Sequence, residues 1–174
     1  MKVLFLVPNL RASNGVASFA LNYFRNMDPG EVHIDFALYQ DRASPYYGEI
    51  RERGCEIFIL PSVKHMKEHW RACDKILREG HYDIIHDCTL HISLPMMLCA
   101  RNHHVPVRLL HSHSAKMGET KKKEIRNRLF MPVLRSLATD YAACSKLAGK
   151  AMFGKRDFTY IPNVVNSRRY MYNE

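Results

Sequence analysis

Two histidines, His111 and His113, are the side chains in this sequence best placed to do chemistry. They stand near the end of the segment VPVRLLHSHS (105–114), which is typical of a buried strand. Open α/β sheets bind ligands at the carboxyl edge of their strands. An imidazole there can hydrogen-bond a sugar hydroxyl or a developing charge, in neutral or protonated form. Alternatively, both rings only satisfy structural hydrogen bonds at the strand end.

The turn after the first predicted strand could approach a phosphate group. In the segment PNLRASNGVASF, Gly15 directly precedes a predicted helix, where backbone N–H groups and the helix dipole favour an anion. The GxGxxG pattern of nicotinamide- and flavin-binding proteins is missing, because Asn9, Arg11 and Ser13 stand where glycines might be. Gly15 could equally ease a tight strand-to-helix turn, with Ser13 or Asn14 as the N-cap.

Positive charge is concentrated after residue 100. The chain of 174 residues has a formal net charge of +9; residues 1–100 hold 11 basic and 12 acidic side chains, and residues 101–174 hold 15 and 5. Such a surface attracts phosphate in a nucleotide, a nucleic acid or an anionic membrane, although an ordinary solvated surface has the same composition. Seven of these 15 basic residues form one run: Lys116, Lys121, Lys122, Lys123, Arg126, Arg128 and Arg135.

A helix that follows Glu119 should carry most of these basic residues. Its apolar positions Ile125, Leu129, Val133 and Leu137 recur at helical spacing and are expected on the face opposite the basic one. The result would be a basic amphipathic helix able to rest on an anionic membrane or to hold an anionic acceptor. Pro132 should kink or split it.

Short β-rich runs alternate with helical runs along nearly the whole chain, which predicts a Rossmann-like parallel sheet with helices on both faces. A hydrophobic content of 47% is enough for a substantial core. The predicted strands are Lys2 to Val7, His33 to Tyr39, Glu56 to Leu60, Asp83 to His86, Val107 to His111, Tyr141 to Ala143 and Thr159 to Ile161.

Several other classes of site find little support. The five cysteines form no CxxC pair, and the ten histidines match no zinc spacing, so we expect no metal site and a reducing, cytoplasmic environment. No Gly-x-Ser-x-Gly motif points to a hydrolase. No window reaches the ~20 apolar residues of a membrane span, so that any membrane contact should be peripheral.

Seven segments, taken in order, resemble the N-terminal domain of family 4 glycosyltransferases, especially those of bacterial capsule and exopolysaccharide synthesis. They are KVLFLVPNL, NGVASFALNYFRNMD, VHIDFAL, YDIIHDCT, VPVRLLHSHS, ATDYAACSKLAGKAMFG and YIPNVVNSRRY. The resemblance implies a GT-B fold, in which two Rossmann-like domains face each other across a cleft. The N-terminal domain holds the acceptor and the C-terminal domain the nucleotide-sugar donor. It also implies a retaining transferase without metal or other cofactor, and we expect a UDP-sugar as its co-substrate.

The resemblance assigns donor-side roles to four residues. Gly15 matches the second glycine of the family's glycine-rich loop, which approaches the donor phosphates or the transferred sugar. Asn14 replaces the first glycine of that loop. His113, with His111 as the alternative, matches the histidine that hydrogen-bonds the donor sugar near the reaction centre.

Acceptor-side roles and domain boundaries also follow from the resemblance. Lys116, Lys122 and Arg126 are the expected acceptor contacts. Asn163 and Asn166 occupy the family's exit segment, whose glycine and aspartate are replaced here. Residues 1–162 should form the acceptor-binding domain and 163–174 the start of an interdomain linker, with the donor domain absent from these residues. We therefore expect the chain to fold but to transfer no sugar alone.

Two further classes of function compete with this one. The runner-up is a non-catalytic Rossmann-like module that binds a phosphorylated ligand or an anionic membrane surface through its basic patch. A nicotinamide-dependent oxidoreductase is disfavoured by the missing glycine pattern, and nucleic-acid binding by the lack of aromatic residues interleaved with the basic run. The transferase hypothesis predicts a nucleotide sugar and a sugar or lipid-linked acceptor as partners, at the inner face of the cytoplasmic membrane.

Overall fold

Seven apolar runs form the strands of one parallel sheet in the computed structural model, which describes residues 1–118 and 120–163. Each predicted strand is present, with ends that differ by at most one residue. The strands are β1 (Lys2–Val7), β2 (His33–Leu38), β3 (Ile57–Ile59), β4 (Ile84–Asp87), β5 (Val107–Ser112), β6 (Asp140–Ala143) and β7 (Thr159–Tyr160).

Helices connect successive strands, as parallel pairing requires. The described α-helices are α1 (Gly15–Asn26), α2 (Tyr47–Glu52), α3 (Met66–Gly80), α4 (Leu94–Asn102), α5 (Lys121–Leu137) and α6 (Lys146–Phe153). A short 3₁₀ helix, Leu90–Ser93, leads into α4. Side-chain hydrogen bonds cap the start of three of the described helices: Asn14 caps α1, Thr120 caps α5 and Ser145 caps α6.

The strand order is β3-β2-β1-β4-β5-β6-β7. From β1 the chain proceeds outward to β2 and β3, then returns to place β4 on the other side of β1. The order therefore reverses between β1 and β4, and the carboxyl ends of these two strands flank the crevice where doubly wound sheets bind ligands.

Alternating side chains of the central strands enter two separate cores, one on each face of the sheet. Val3, Phe5 and Val7 of β1 pack beneath α1 and α2. Leu4 and Leu6 face the opposite way, into a core closed by α3, α4, α5 and α6. The predicted α/β class with helices on both faces is confirmed. Cys55, Cys88 and Cys99 are buried as free thiols.

Helix α5 differs from its prediction in the face that it buries. It buries Asn127, Met131, Leu134 and Leu137, whereas the predicted apolar face, apart from Leu137, lies in solvent. Pro132 does not split the helix, which runs unbroken from Lys121 to Leu137. The burial has a local cause, because the side chain of Asn127 donates to the carbonyl of Met117 and ties the helix to the preceding loop.

A buried carboxylate joins the strands at the amino edge of the sheet, opposite the predicted site. Asp35 is fully buried and accepts hydrogen bonds from the Tyr82 hydroxyl (2.7 Å), the Glu56 backbone N–H (2.7 Å) and the His33 ring (2.9 Å). The ammonium of Lys2 lies 3.4 Å away. The partners come from four segments of chain, so this one side chain fixes the mutual position of β1, β2, β3 and β4.

Candidate functional site

The candidate site lies at the carboxyl edge of the sheet, where β1, β4 and β5 end beneath the start of α1. The turn from β1 to α1 is held by two asparagines. The side-chain oxygen of Asn9 accepts from the Arg11 backbone N–H (3.1 Å) and from the Asn14 amide (3.3 Å). The oxygen of Asn14 accepts in turn from the N–H groups of Val16 (2.9 Å) and Ala17 (3.3 Å). Asn14 is therefore the N-cap of α1, and Ser13 is not.

Gly15 is the first residue of α1 and is exposed to solvent. A Cβ atom built on it would meet no atom within 4 Å. Packing of the described residues therefore does not require glycine at this position. The space above the helix start is open, and a molecule could approach the backbone there.

Three imidazoles stack beneath the second turn of α1. His86 Nε2 lies 2.9 Å from His111 Nδ1, and the ring centroids of His111 and His113 are 4.0 Å apart. Phe19 of α1 contacts the edges of these rings, with centroid distances of 4.9 Å to His111 and 4.6 Å to His113. Phe5 of β1 stacks on His86 at 4.3 Å. The two histidines of HSH thus point to the same face of the sheet and do not diverge.

All three rings are held in the neutral form at neutral pH. Burial lowers the pKa of His86 to about 3, with a smaller effect from nearby His113. Burial also lowers the pKa of His111 to about 2, aided by its two neighbouring rings. The pKa of His113 falls to about 4 because of burial, which outweighs the opposite effect of a side-chain hydrogen bond between His113 and Asn163. A neutral imidazole can donate from one ring nitrogen and accept at the other.

His113 and His111 occupy different depths in this stack. His111 is fully buried, whereas His113 follows the last residue of β5 and is partly exposed. Among the described residues, neither Nε2 atom has a hydrogen-bond partner. His113 is therefore the ring that a molecule at the sheet edge would meet, and His111 supports it from below. Asn166 lies outside the described residues.

Three potential metal ligands meet in the same region. One ligand atom from each of His86, Cys88 and His111 lies within 4.8 Å of the others, and all three residues are buried. Two nitrogens of this group already hydrogen-bond each other, and burial raises the pKa of the Cys88 thiol well above its ordinary value. A bound metal ion would have to replace that hydrogen bond and displace the thiol proton.

A cavity of about 320 Å³ opens at the same edge, on the opposite face of the sheet. Of the predicted acceptor residues, Arg126 lines it, together with Lys123, whereas Lys116 and Lys122 lie outside its lining. His91 also faces the cavity. Its pKa is lowered to about 4, mainly by burial and to a smaller extent by the positive charges of Arg126 and Lys123. The cavity thus presents fixed positive charge to a ligand.

Two residues of the site, His86 and Phe19, were not singled out from the sequence. A signal for His86 was available: it ends a predicted strand, as His111 does, and the carboxyl ends of parallel strands meet at one edge of the sheet. The contact of Phe19 with the rings depends on how α1 crosses the sheet, which no local pattern specifies.

Comparison with known proteins gives one relative in sequence. The chain is 29% identical over 146 residues, or 81% of its length, to the Bacillus subtilis protein named "Putative glycosyltransferase EpsF". The match spans 38% of that relative, so the chain corresponds to less than half of it. No family model matches the chain.

Solved structures of proteins with very different sequences have the same fold. Anabaena HepE, crystallised with UDP and glucose, superimposes with a TM-score of 0.67 at 15% identity over 98% of this chain and 46% of HepE. Acinetobacter baumannii MurG gives 0.53 at 10% identity over 83% of this chain and 40% of MurG. At these identities the likeness concerns the fold alone. The described residues thus have the Rossmann-like fold of one half of a GT-B protein, and the chain is similar in sequence to a protein named as a glycosyltransferase.

Proposed function

We propose that this chain is the acceptor-side half of a retaining glycosyltransferase of family 4 that serves capsule or exopolysaccharide synthesis. The full enzyme would move a sugar from a UDP-sugar to a polysaccharide or lipid-linked acceptor. The similarity to EpsF and the UDP and glucose bound by HepE support the proposal.

One observation gives the proposal its main support. The start of α1 and the imidazole of His113 share the carboxyl edge of the sheet, joined by Phe19, which lies one turn after Gly15 and contacts the His113 ring. A helix start attracts a phosphate, and a neutral imidazole at the same edge of the sheet can hydrogen-bond a hydroxyl. A nucleotide sugar carries both groups close together.

Each residue then has a defined part in transfer. The backbone N–H groups at the start of α1 would face the donor phosphates or the transferred sugar, and Gly15 would let that group come close. Asn14 acts on the donor indirectly, because its side chain caps the helix whose start faces the donor. His113, positioned by the buried ring of His111, would hydrogen-bond the donor sugar.

The basic cavity suits the acceptor. Arg126 lines it, and Lys116 and Lys122 stand nearby in sequence on exposed positions. An anionic acceptor, such as a sugar linked to a lipid through phosphate, would be held there by charge. This arrangement leaves the α1 start for the donor on the other face of the sheet.

We further propose that the full enzyme has a second domain, acts at the membrane and needs no cofactor. A second Rossmann-like domain would supply the nucleotide pocket, so the 174-residue chain should transfer no sugar by itself. We place the reaction at the cytoplasmic face of the membrane, without a resident metal or cofactor. None of the helices in the described ranges combines the length and hydropathy needed to cross a bilayer.

A fusion to the remainder of the EpsF polypeptide tests this function. We expect no UDP release from UDP-sugars by the chain alone, and release by the fusion in the presence of lipid-linked acceptors. His113→Ala in the fusion should lower the rate by at least ~10-fold, because a transition-state hydrogen bond is lost. Proton NMR of the product should show the anomeric configuration of the donor.

Two results would contradict the proposal. One is turnover by the 174-residue chain alone. The other is a fusion whose activity does not change when His113 is replaced, with both halves folded by circular dichroism. The second result would place the contact with the donor sugar elsewhere in the enzyme.

A further inference from the structure

We propose that helix α5 docks on an anionic phospholipid bilayer through a solvent-facing apolar stripe. The stripe consists of Ile125, Leu129 and Val133, which are 62%, 71% and 46% exposed. We call it the α5 face. Large apolar side chains are normally exposed singly, whereas a contiguous set marks a surface that contacts something else.

The geometry of the helix makes the stripe continuous. Residues four apart lie on successive turns of one helix face, so the three side chains form a single row. Phe130, 42% exposed, widens the apolar surface at one side. The opposite side of the helix already packs on the protein, through Met131, Leu134 and Leu137. The α5 face is therefore not needed for the fold of the described residues.

Charge identifies the occupant. Helix α5 carries six basic residues and one acidic residue, and Lys121, Lys122 and Arg128 are exposed beside the apolar row. Helices that lie in a membrane interface combine an apolar face with flanking lysines and arginines that meet anionic headgroups. A second copy of this chain would bring two basic faces together, which charge repulsion opposes. An anionic bilayer satisfies both the apolar row and its charged flanks.

The position of the helix links docking to the proposed function. The first two turns of α5 stand at the carboxyl edge of the sheet, where Lys123 and Arg126 line the cavity of about 320 Å³. Docking would bring this cavity to the level of the lipid headgroups. This last step rests on the proposed function, because it gives the acceptor side of the site direct access to a lipid-linked sugar.

Vesicle binding by the 174-residue chain tests docking without any sugar transfer. Phosphatidylcholine vesicles with about 30 mol% phosphatidylglycerol should bind the chain at about 0.1 M salt, and pure phosphatidylcholine vesicles should bind it weakly. Binding measured by co-sedimentation should fall when the salt is raised to about 0.5 M.

The chain offers matched controls for both components of the α5 face. Leu129→Ser should lower the partition coefficient about 10-fold, and Leu147→Ser, at a leucine of α6 that is 70% exposed, should change it less than about 2-fold. Lys121→Glu should weaken binding, and Lys155→Glu, at another exposed lysine, should weaken it less. All four positions are in solvent, so melting temperatures should stay close to that of the parent chain.

The proposal is overturned if the chain does not bind anionic vesicles, or if both leucine variants bind alike. It is also overturned if analytical ultracentrifugation shows that the parent chain self-associates and that Leu129→Ser lowers vesicle binding only because it abolishes this self-association. Gly15→Val should bind vesicles normally, so that loss of docking and loss of sugar transfer are separate results.

Discussion

The start of α1 shows how one residue can serve a ligand without serving the fold. Asn14 has a structural task, because its side chain satisfies two N–H groups that would otherwise lack partners at the helix start. Gly15 has no such task, since a larger side chain would meet no described atom. A substitution at Gly15 therefore separates the approach of a ligand from stability.

We expect Gly15→Val to leave the free energy of unfolding within about 1 kcal/mol of the parent value, because the added methyl groups enter open space. In the fusion with the EpsF remainder it should lower kcat/KM for the UDP-sugar at least ~10-fold by blocking the helix start. Gly48→Val is the matched control, since Gly48 is also an exposed helical glycine with nothing within 4 Å. Equal activities of the two variants would argue against a donor contact at Gly15.

At the scale of elements, the strands were predictable and the orientation of α5 was not. Apolar runs bounded by turn residues located every strand, since buried parallel strands leave a strong local signal. Helix α5 offered two apolar rows, one through Ile125 and Leu129 and one through Met131 and Leu134. Which of the two rows is buried depends on contacts such as the hydrogen bond of Asn127 to Met117, and the sequence pattern does not show these contacts. For the same reason the sequence pointed to His113 but not to the stack beneath it.

The sheet itself depends on one polar residue at its amino edge. We expect Asp35→Ala to lower the free energy of unfolding by about 3 kcal/mol, because the Tyr82 hydroxyl and the Glu56 N–H lose their buried acceptor. Urea denaturation would measure the loss. Asp74→Ala is the control, since this carboxylate pairs with Arg78 and His103 at a position that is 40% exposed and should cost less than about 1 kcal/mol. A loss below about 1 kcal/mol for Asp35→Ala would show that the strands are positioned by packing alone.

The whole molecule combines a widespread architecture with an interior that contains three stacked imidazoles. Its fold is similar to those of proteins with only 10–15% sequence identity to it, so the fold is specified by the pattern of burial and not by particular residues. The stack of His86, His111 and His113 lies between β1, β4, β5 and α1. Burying three imidazoles in the neutral form links the stability of the whole domain to pH.

Lowered pKa values in the folded state fix the direction of that dependence. An unfolded histidine titrates near 6.5, whereas the pKa values of His86, His111 and His113 in the folded chain are about 3, 2 and 4. Below pH 6.5 the unfolded chain binds more protons than the folded one, so stability is complete above pH 6.5 and falls as the solution is acidified. Asp87, whose pKa burial raises to about 6, acts in the opposite direction but is a single group.

We therefore expect the free energy of unfolding, measured in urea, to fall steadily between pH 7 and pH 5. At pH 5 each of the three rings should contribute a loss of about 2 kcal/mol, which is the difference between its folded and unfolded titration at that pH. His113→Gln replaces one ring with an amide that does not titrate and should reduce the fall by about that amount. A stability that is flat over this range, or equally steep in the variant, would mean that the stack is hydrated and that His113 can carry charge in the site.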